Sequence, residues 1–187
     1  RFHRQYPYAY NHLLRYKSAL SSRNAFEVGL GFEWYALQRS GINNNWDDFV
    51  EQKIVWKRDS PDYHIGIDYG GCAVLENVCF MVGQHLNFLL GVFNSIMGRY
   101  MLSDLSRLST NESQAGISVI ESMSIPVPDG KVKSDIITLV NRRISENGKN
   151  GSNAESLEEQ INRLIFELYN LTEEEVRFVR SRVSFLK

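Results

Sequence analysis

Hydrophobic and polar positions change rhythm several times along this chain. Over residues 7–22, Tyr10, Leu13, Leu14 and Leu20 recur close to helical spacing. Pro7 suits the first turn of that helix, where no backbone N–H is needed. The pattern then dissolves into Gly29, Gly31, Gly41 and the run Asn43-Asn44-Asn45, which is loop chemistry. Inside this stretch lies an aromatic and polar island, Trp34-Tyr35-Ala36-Leu37-Gln38-Arg39. Residues 53–57 alternate as a strand should, with Ile54 and Trp56 on one face and lysines at both ends. Residues 63–69 and 72–82 predict two further strands, joined by a tight hairpin turn at Gly70-Gly71.

Leu86, Leu89, Leu90, Phe93, Met97 and Tyr100 mark an amphipathic helix. Its other face is a stripe of small residues, Asn87, Gly91, Asn94, Ser95 and Gly98, which predicts close approach of another backbone. Residues 103–116 are polar and loop-like. Residues 117–127 are expected to be extended and to leave a sheet at Ile125-Pro126-Val127-Pro128. Ser134 can cap a helix burying Ile137, Val140 and Ile144. Two capping boxes, Ser152 with Glu155 and Thr172 with Glu175, open the last two helices. The first of these buries Leu157, Ile161, Leu164, Ile165 and Leu168; the second buries Val176, Val179 and Val183. The expected fold class is α+β: a small mixed or antiparallel sheet with packed helices, followed by a C-terminal helical hairpin. Residues 1–130 would form an α/β region and residues 131–187 a helical region packed on it, in one compact unit.

Composition narrows the setting. The 187 residues are 43% hydrophobic and 23% charged, which argues against a disordered chain. No apolar run reaches the roughly 18 residues a membrane span needs. The longest, residues 86–101, is interrupted by Asn87, Asn94, Ser95 and Arg99. The chain opens on Arg1 with no basic-then-apolar signal segment, and is expected to be a piece of a longer protein. Cys72 and Cys79 are too few for a disulfide framework and fit a reducing cytoplasm. The net charge of −1 argues at first against a nucleic-acid partner. It hides an uneven distribution, however: residues 1–58 carry +4, residues 59–107 carry −3 and residues 108–187 carry −2. The basic third is open to two readings, an ordinary solvated surface or a face for an anionic partner.

Known catalytic signatures are missing. There is no phosphate-binding Gly-rich loop, dinucleotide fingerprint or nucleophile elbow. The spacing of Cys72 and Cys79, and the scatter of His3, His12, His64 and His85, do not suit a metal site. The chain therefore offers no catalytic or metal residues. What remains is a set of basic, amide and aromatic side chains: Arg23, Trp34, Gln38, Arg39, Lys53, Lys57 and Arg58. Arg and Gln can make bidentate contacts to base edges, and Lys suits phosphates. Aromatic rings can stack on bases or fill a core, and for Trp34 and Trp56 the core is the favoured place.

Taken in order, several segments resemble the TaqI-like C-terminal specificity domain of type II restriction-modification enzymes that methylate adenine. They are Tyr6-Pro7 leading to Leu20 and Arg23, Trp34-Tyr35-Ala36-Leu37, and Lys53-Ile54-Val55-Trp56. Leu90-Gly91-Val92-Phe93-Asn94-Ser95 is similar to the family's Leu-Asn-Ser helix, with Phe93 where the family usually has Leu. Ile125-Pro126-Val127-Pro128 and the tail from Leu157 through Glu175 complete the order. The resemblance implies a target-recognition module for double-stranded DNA, working with an N-terminal methyltransferase domain of the same parent chain, with or without a fused endonuclease. S-adenosylmethionine would bind in that missing catalytic domain, and this chain would hold no cofactor. The Asn/Asp-Pro-Pro-aromatic tetrapeptide that holds a flipped adenine is not in these residues. The alternative is a protein-interaction module that docks another chain through its C-terminal helical hairpin.

Overall fold

The computed structural model describes residues 2–23, 33–36, 47–58, 64–74, 77–108, 116–146 and 152–183. The chain falls into two compact units, Arg1–Trp46 and Asp47–Lys187.

The first unit holds helices α1 (Phe2–Gln5), α2 (Pro7–Leu14) and α3 (Lys17–Ser22). Pro7 occupies the first helical turn, as its missing N–H allows. Backbone bonds from Tyr6 N to Phe2 O (2.8 Å) and from Tyr10 N to Tyr6 O (3.0 Å) close α1 and open α2, which are separated by a non-helical Tyr6 (φ −132°, ψ 64°). Rings weld the unit together. Phe2 stacks on Tyr35 with centroids 5.0 Å apart, and Tyr10 meets Trp34 at 5.7 Å and Tyr35 at 5.8 Å. Such pairs contribute roughly 0.5–1.5 kcal/mol each beyond their buried area.

The second unit is α+β. It contains a three-stranded antiparallel sheet of β1 (Lys53–Lys57), β2 (Ile65–Asp68) and β3 (Val78–Val82) in the order β2-β1-β3. In β1, Ile54 and Trp56 are buried on the inner face as their alternation predicts, whereas on the other face Lys57 is exposed but Lys53 is buried. The register sets Ile67 and Met81 beside Ile54, and Ile65 and Cys79 beside Trp56. β2 and β3 flank β1 and do not pair with each other, so the expected Gly70-Gly71 hairpin is replaced by a crossing connection. Both glycines do take positive φ, +109° and +100°. Gly70 packs so closely that a Cβ would lie 2.6 Å from the Val50 carbonyl oxygen.

Helix α4 (Leu86–Asn94) lies under the sheet and buries residues around most of its circumference, including Leu86, Phe88, Leu90, Val92 and Phe93. It is followed by α5 (Ile96–Leu108), α6 (Ile117–Glu121), α7 (Gly130–Ser145), α8 (Ser152–Leu168) and α9 (Glu173–Val183). The small stripe does the packing expected of it at Gly91, where a Cβ would sit 2.7 Å from Val140 Cγ2 on α7. The single helix expected over 86–100 breaks at Ser95. Ser95 Oγ accepts from Gly98 N (3.0 Å), and Asn162 Oδ1 on α8 accepts from Ile96 N (2.8 Å), so both side chains cap α5.

Three further expectations are corrected. The polar stretch from residue 103 continues α5 to Leu108, with Ser106 buried as a small residue on its packed side. Residues 117–121 are helical, because local i→i−4 bonding from Gly116 outweighs their β-branched character; only the following proline segment is irregular. The cap of α7 is Asp129, whose Oδ1 accepts from Val132 N at 2.8 Å, and Ser134 lies inside the helix. Within the second unit, the helices after residue 130 share one core with the sheet.

The Thr172–Glu175 box forms as its residues predict. Glu175 Oε2 accepts from Thr172 N and Thr172 Oγ1, both at 2.8 Å, and these bonds hold its carboxyl below the usual range. Ser152 begins α8, but its side chain lies outside the described set. Tyr169, after α8, donates its hydroxyl to Ser124 O at 2.9 Å and so ties down the proline segment. Burial pushes that phenol up to about 12. The last two helices are the C-terminal pair. Arg180 of α9 binds Glu159 of α8 at 2.5 Å, and Phe178 meets Tyr100 of α5 edge-on at 6.2 Å.

Candidate nucleic-acid interface

The seven side chains singled out in the sequence separate into three groups. Arg23 and Trp34 belong to the scaffold of the first unit. The Arg23 guanidinium donates to the carbonyls of Trp34 and Ala36, fastening residues 33–36 to the end of α3. Trp34 is half-buried among Tyr10, Tyr35 and the Lys17 ammonium, which lies 5.7 Å from its ring. Gln38 and Arg39 lie outside the described residues.

Lys53 is a correction. It is fully buried, and Lys53 Nζ lies 2.5 Å from Asp68 Oδ2 and donates to Phe49 O (2.8 Å) and Glu51 O (3.3 Å). An ammonium so surrounded cannot reach a phosphate. The strand register explains the pairing, since Lys53 stands directly opposite Asp68 across the β1–β2 ladder. The hydrogen bond from Lys53 holds the Asp68 carboxyl below its ordinary range, helped by donation from Cys72.

The remaining pair, Lys57 and Arg58, is exposed at the end of β1. Beside Lys57, a groove of ≈ 380 Å³ opens at the end of the β1–β2 ladder, lined by Trp56, His64, Ile65, Gly66, Val78 and Asn94 among others. Gly66 stands opposite Val55 in the ladder, and its missing side chain leaves that strip of sheet low. A second cleft of ≈ 460 Å³ adjoins it, with Ile65, Gly66 and Asn94 common to both. This cleft runs from β2 to the walls of α4, α7 and α8, where it meets Arg99, Arg143 and Glu158.

The two concavities bend around β2, an edge strand of the sheet. Asn94 sits at the bend. Its Nδ2 donates to Ile65 O (3.0 Å) and Leu90 O (3.1 Å), which fixes the strand against the end of α4. Lys57 and Arg99 are exposed at opposite parts of the path. Arg143 is held by Glu158, with Nε 2.8 Å from Oε1. Among the described lining residues, Lys57, Arg99 and Arg143 stand against one carboxylate, Glu158, although residues 59–187 are net acidic. Compared with known proteins, the chain matches no family model and no curated sequence.

The sequence reading had missed Arg99, His64 and Asn94 as a set. Arg99 registers there only as an interruption of an apolar run, and His64 as one of four scattered histidines. Chain folding brings them together at β2, which linear spacing does not reveal. Chemically the groove is suited to hold an anionic backbone, with an amide and a strand edge beside it. Among the described residues, no group of three or more His, Cys, Asp or Glu is placed to hold a metal ion, and no helix is long and apolar enough to cross a membrane.

Proposed function

We propose that this chain is a sequence-specific duplex-DNA recognition module of a cytoplasmic restriction-modification adenine DNA methyltransferase. In this reading the catalytic domain precedes it in the parent chain, with or without a fused endonuclease. That domain binds S-adenosylmethionine and receives the extruded adenine, while this chain clamps the duplex. No residue here is assigned to the cofactor or to methyl transfer. The observation that carries the reading is the basic groove around edge strand β2, with Lys57 and Arg99 along one continuous path. A short sheet with cations at its rim suits a nucleic-acid groove, where phosphate contacts set orientation and neighbouring side chains read bases. The order of motifs along the chain supports the same reading.

The test is selection from a randomised duplex pool by the intact chain, followed by sequencing of the retained DNA. Enrichment of one short motif is expected. Lys57→Ala and Arg58→Ala should lower retention of all sequences, while Gln38→Ala or Arg39→Ala should relax preference at individual positions. A retained pool with the composition of the input would contradict sequence-specific recognition.

A further inference from the structure

The ≈ 460 Å³ cleft between β2 and helices α4, α7 and α8 has the size of a small-molecule site. Its apolar lining is aliphatic, made by Ile65, Ile67, Leu90, Val140, Ile144 and Ile161, and no aromatic ring lines it. A flat base has nothing there to stack on, whereas a flexible hydrocarbon chain does. The polar lining gathers where α5 begins. Asn162 is only 8% accessible, and its Oδ1 accepts from Ile96 N at 2.8 Å. That bond fixes which end of the amide is which, and among the described residues Nδ2 has no acceptor. A donor on so buried a side chain is costly to leave without an acceptor. Arg99 follows Ile96 by three residues, so it stands on the same side of α5 as this cap. Its guanidinium is exposed and has no partner among the described residues. The start of this 13-residue helix adds the positive end of its dipole. Glu158, the one carboxylate in the lining, is already engaged by Arg143 Nε at 2.8 Å.

We propose that this cleft binds a small aliphatic carboxylate. Its hydrocarbon chain lies on the isoleucine, leucine and valine lining, and its head accepts from Asn162 Nδ2 and the Arg99 guanidinium at the start of α5. A guanidinium and a carboxylate make strong charge-assisted bonds, and the amide supplies a donor that the fold itself leaves unused. Inorganic phosphate is the poorer occupant, because it gains nothing from the aliphatic lining. The site stands without the DNA reading. It shares Arg99 with that reading, so an occupied cleft withholds one cation from a duplex.

The experiment titrates the intact chain with octanoate at neutral pH by isothermal titration calorimetry, with decanoate, octan-1-ol and inorganic phosphate as comparison probes. One saturable site per chain is expected. Decanoate should bind about tenfold tighter than octanoate, since each added methylene contributes about three- to fourfold. Octan-1-ol keeps the chain without the charge and should bind about tenfold more weakly. Asn162→Asp keeps an oxygen to cap Ile96 N but turns the free donor into a carboxylate oxygen, and should abolish octanoate binding. Arg99→Gln is an exposed change that leaves the cap alone. It should weaken octanoate about tenfold, and it tests the site even where Asn162→Asp disturbs the fold. Arg163→Ala removes an exposed cation of α8 that does not line the cleft, and should change nothing. Absence of octanoate binding, phosphate bound as tightly as octanoate, equal affinity for octanoate and octan-1-ol, or unaltered binding in Arg99→Gln overturns the proposal. Duplex anisotropy on the same protein separates the two readings. Duplex binding without octanoate binding overturns the carboxylate site alone, and octanoate binding without duplex binding overturns the DNA reading alone.

Discussion

Lys53 illustrates how a single residue type can mislead when its neighbours are unknown. A lysine at a strand end is ordinarily a surface charge, and its side chain is seldom fully buried without a partner. Here the β1–β2 register supplies Asp68, and the turn before β1 supplies two carbonyls. Nothing in the linear sequence states that register, so the pairing was not legible, whereas the adjacent Ile54 and Trp56 were. The arrangement makes an asymmetric prediction. Asp68→Asn strands a positive charge with no route to water, while Lys53→Met leaves a carboxylate that solvent can partly reach. Thermal melts should therefore show a larger drop in Tm for Asp68→Asn than for Lys53→Met. The pH dependence has a definite sign as well. Because the folded Asp68 titrates below its unfolded value, its contribution is present above the ordinary carboxylate range and is lost as pH falls through the lower, folded value. The acid limb of a stability–pH profile should be shallower in Asp68→Asn. Equal Tm losses with superimposable acid limbs would contradict the buried pair.

At the scale of elements, the α4–α5 junction shows what a residue pattern can and cannot convey. The stripe of small residues correctly signals a close neighbour at Gly91, which faces Val140 and Ile136 of α7. The same stripe conceals a helix break, because Asn94, Ser95 and Gly98 fit both an uninterrupted small face and a junction. Gly98 is the deciding position. A Cβ there would fall 2.0 Å from the Val92 carbonyl oxygen and 2.9 Å from Phe93 Cα, both backbone atoms that cannot step aside alone. Helix propensity alone makes Gly→Ala favourable by about 1 kcal/mol. The junction reverses the sign: Gly98→Ala should destabilise the protein by about 3 kcal/mol, measured by urea denaturation. A stabilised Gly98→Ala would mean that α4 and α5 form one continuous helix. Other elements were legible to different degrees for similar reasons. The Thr172–Glu175 box is a local device complete within four residues, and it forms as read. The β2–β3 connection depends on which strand takes the centre of the sheet, a long-range choice that Gly70-Gly71 cannot announce. The helix at Ile117–Glu121 goes against the strand preference of its Ile and Val residues, two of which it buries.

For the whole molecule, regional charge was the useful sequence signal, but it pointed to only part of the surface. The excess over residues 1–58 led to Lys57 and Arg58, and also to Arg23 and Lys53, which the structure spends on its own scaffold. The cation farther along the groove, Arg99, lies in the stretch with a net charge of −3. The proposed recognition surface thus draws at β2 on residues more than forty positions apart, against the regional balance. Its clearest property is electrostatic, since each phosphate contact releases counterions and steepens the salt dependence of binding. The most direct measurement is the slope of log K against log salt for the intact chain and the Lys57→Ala/Arg99→Ala variant on the same duplex. DNA recognition through the groove predicts a steep slope for the intact chain and one shallower by about 2 for the variant. Binding that does not change with salt, or identical slopes for the two proteins, would contradict it.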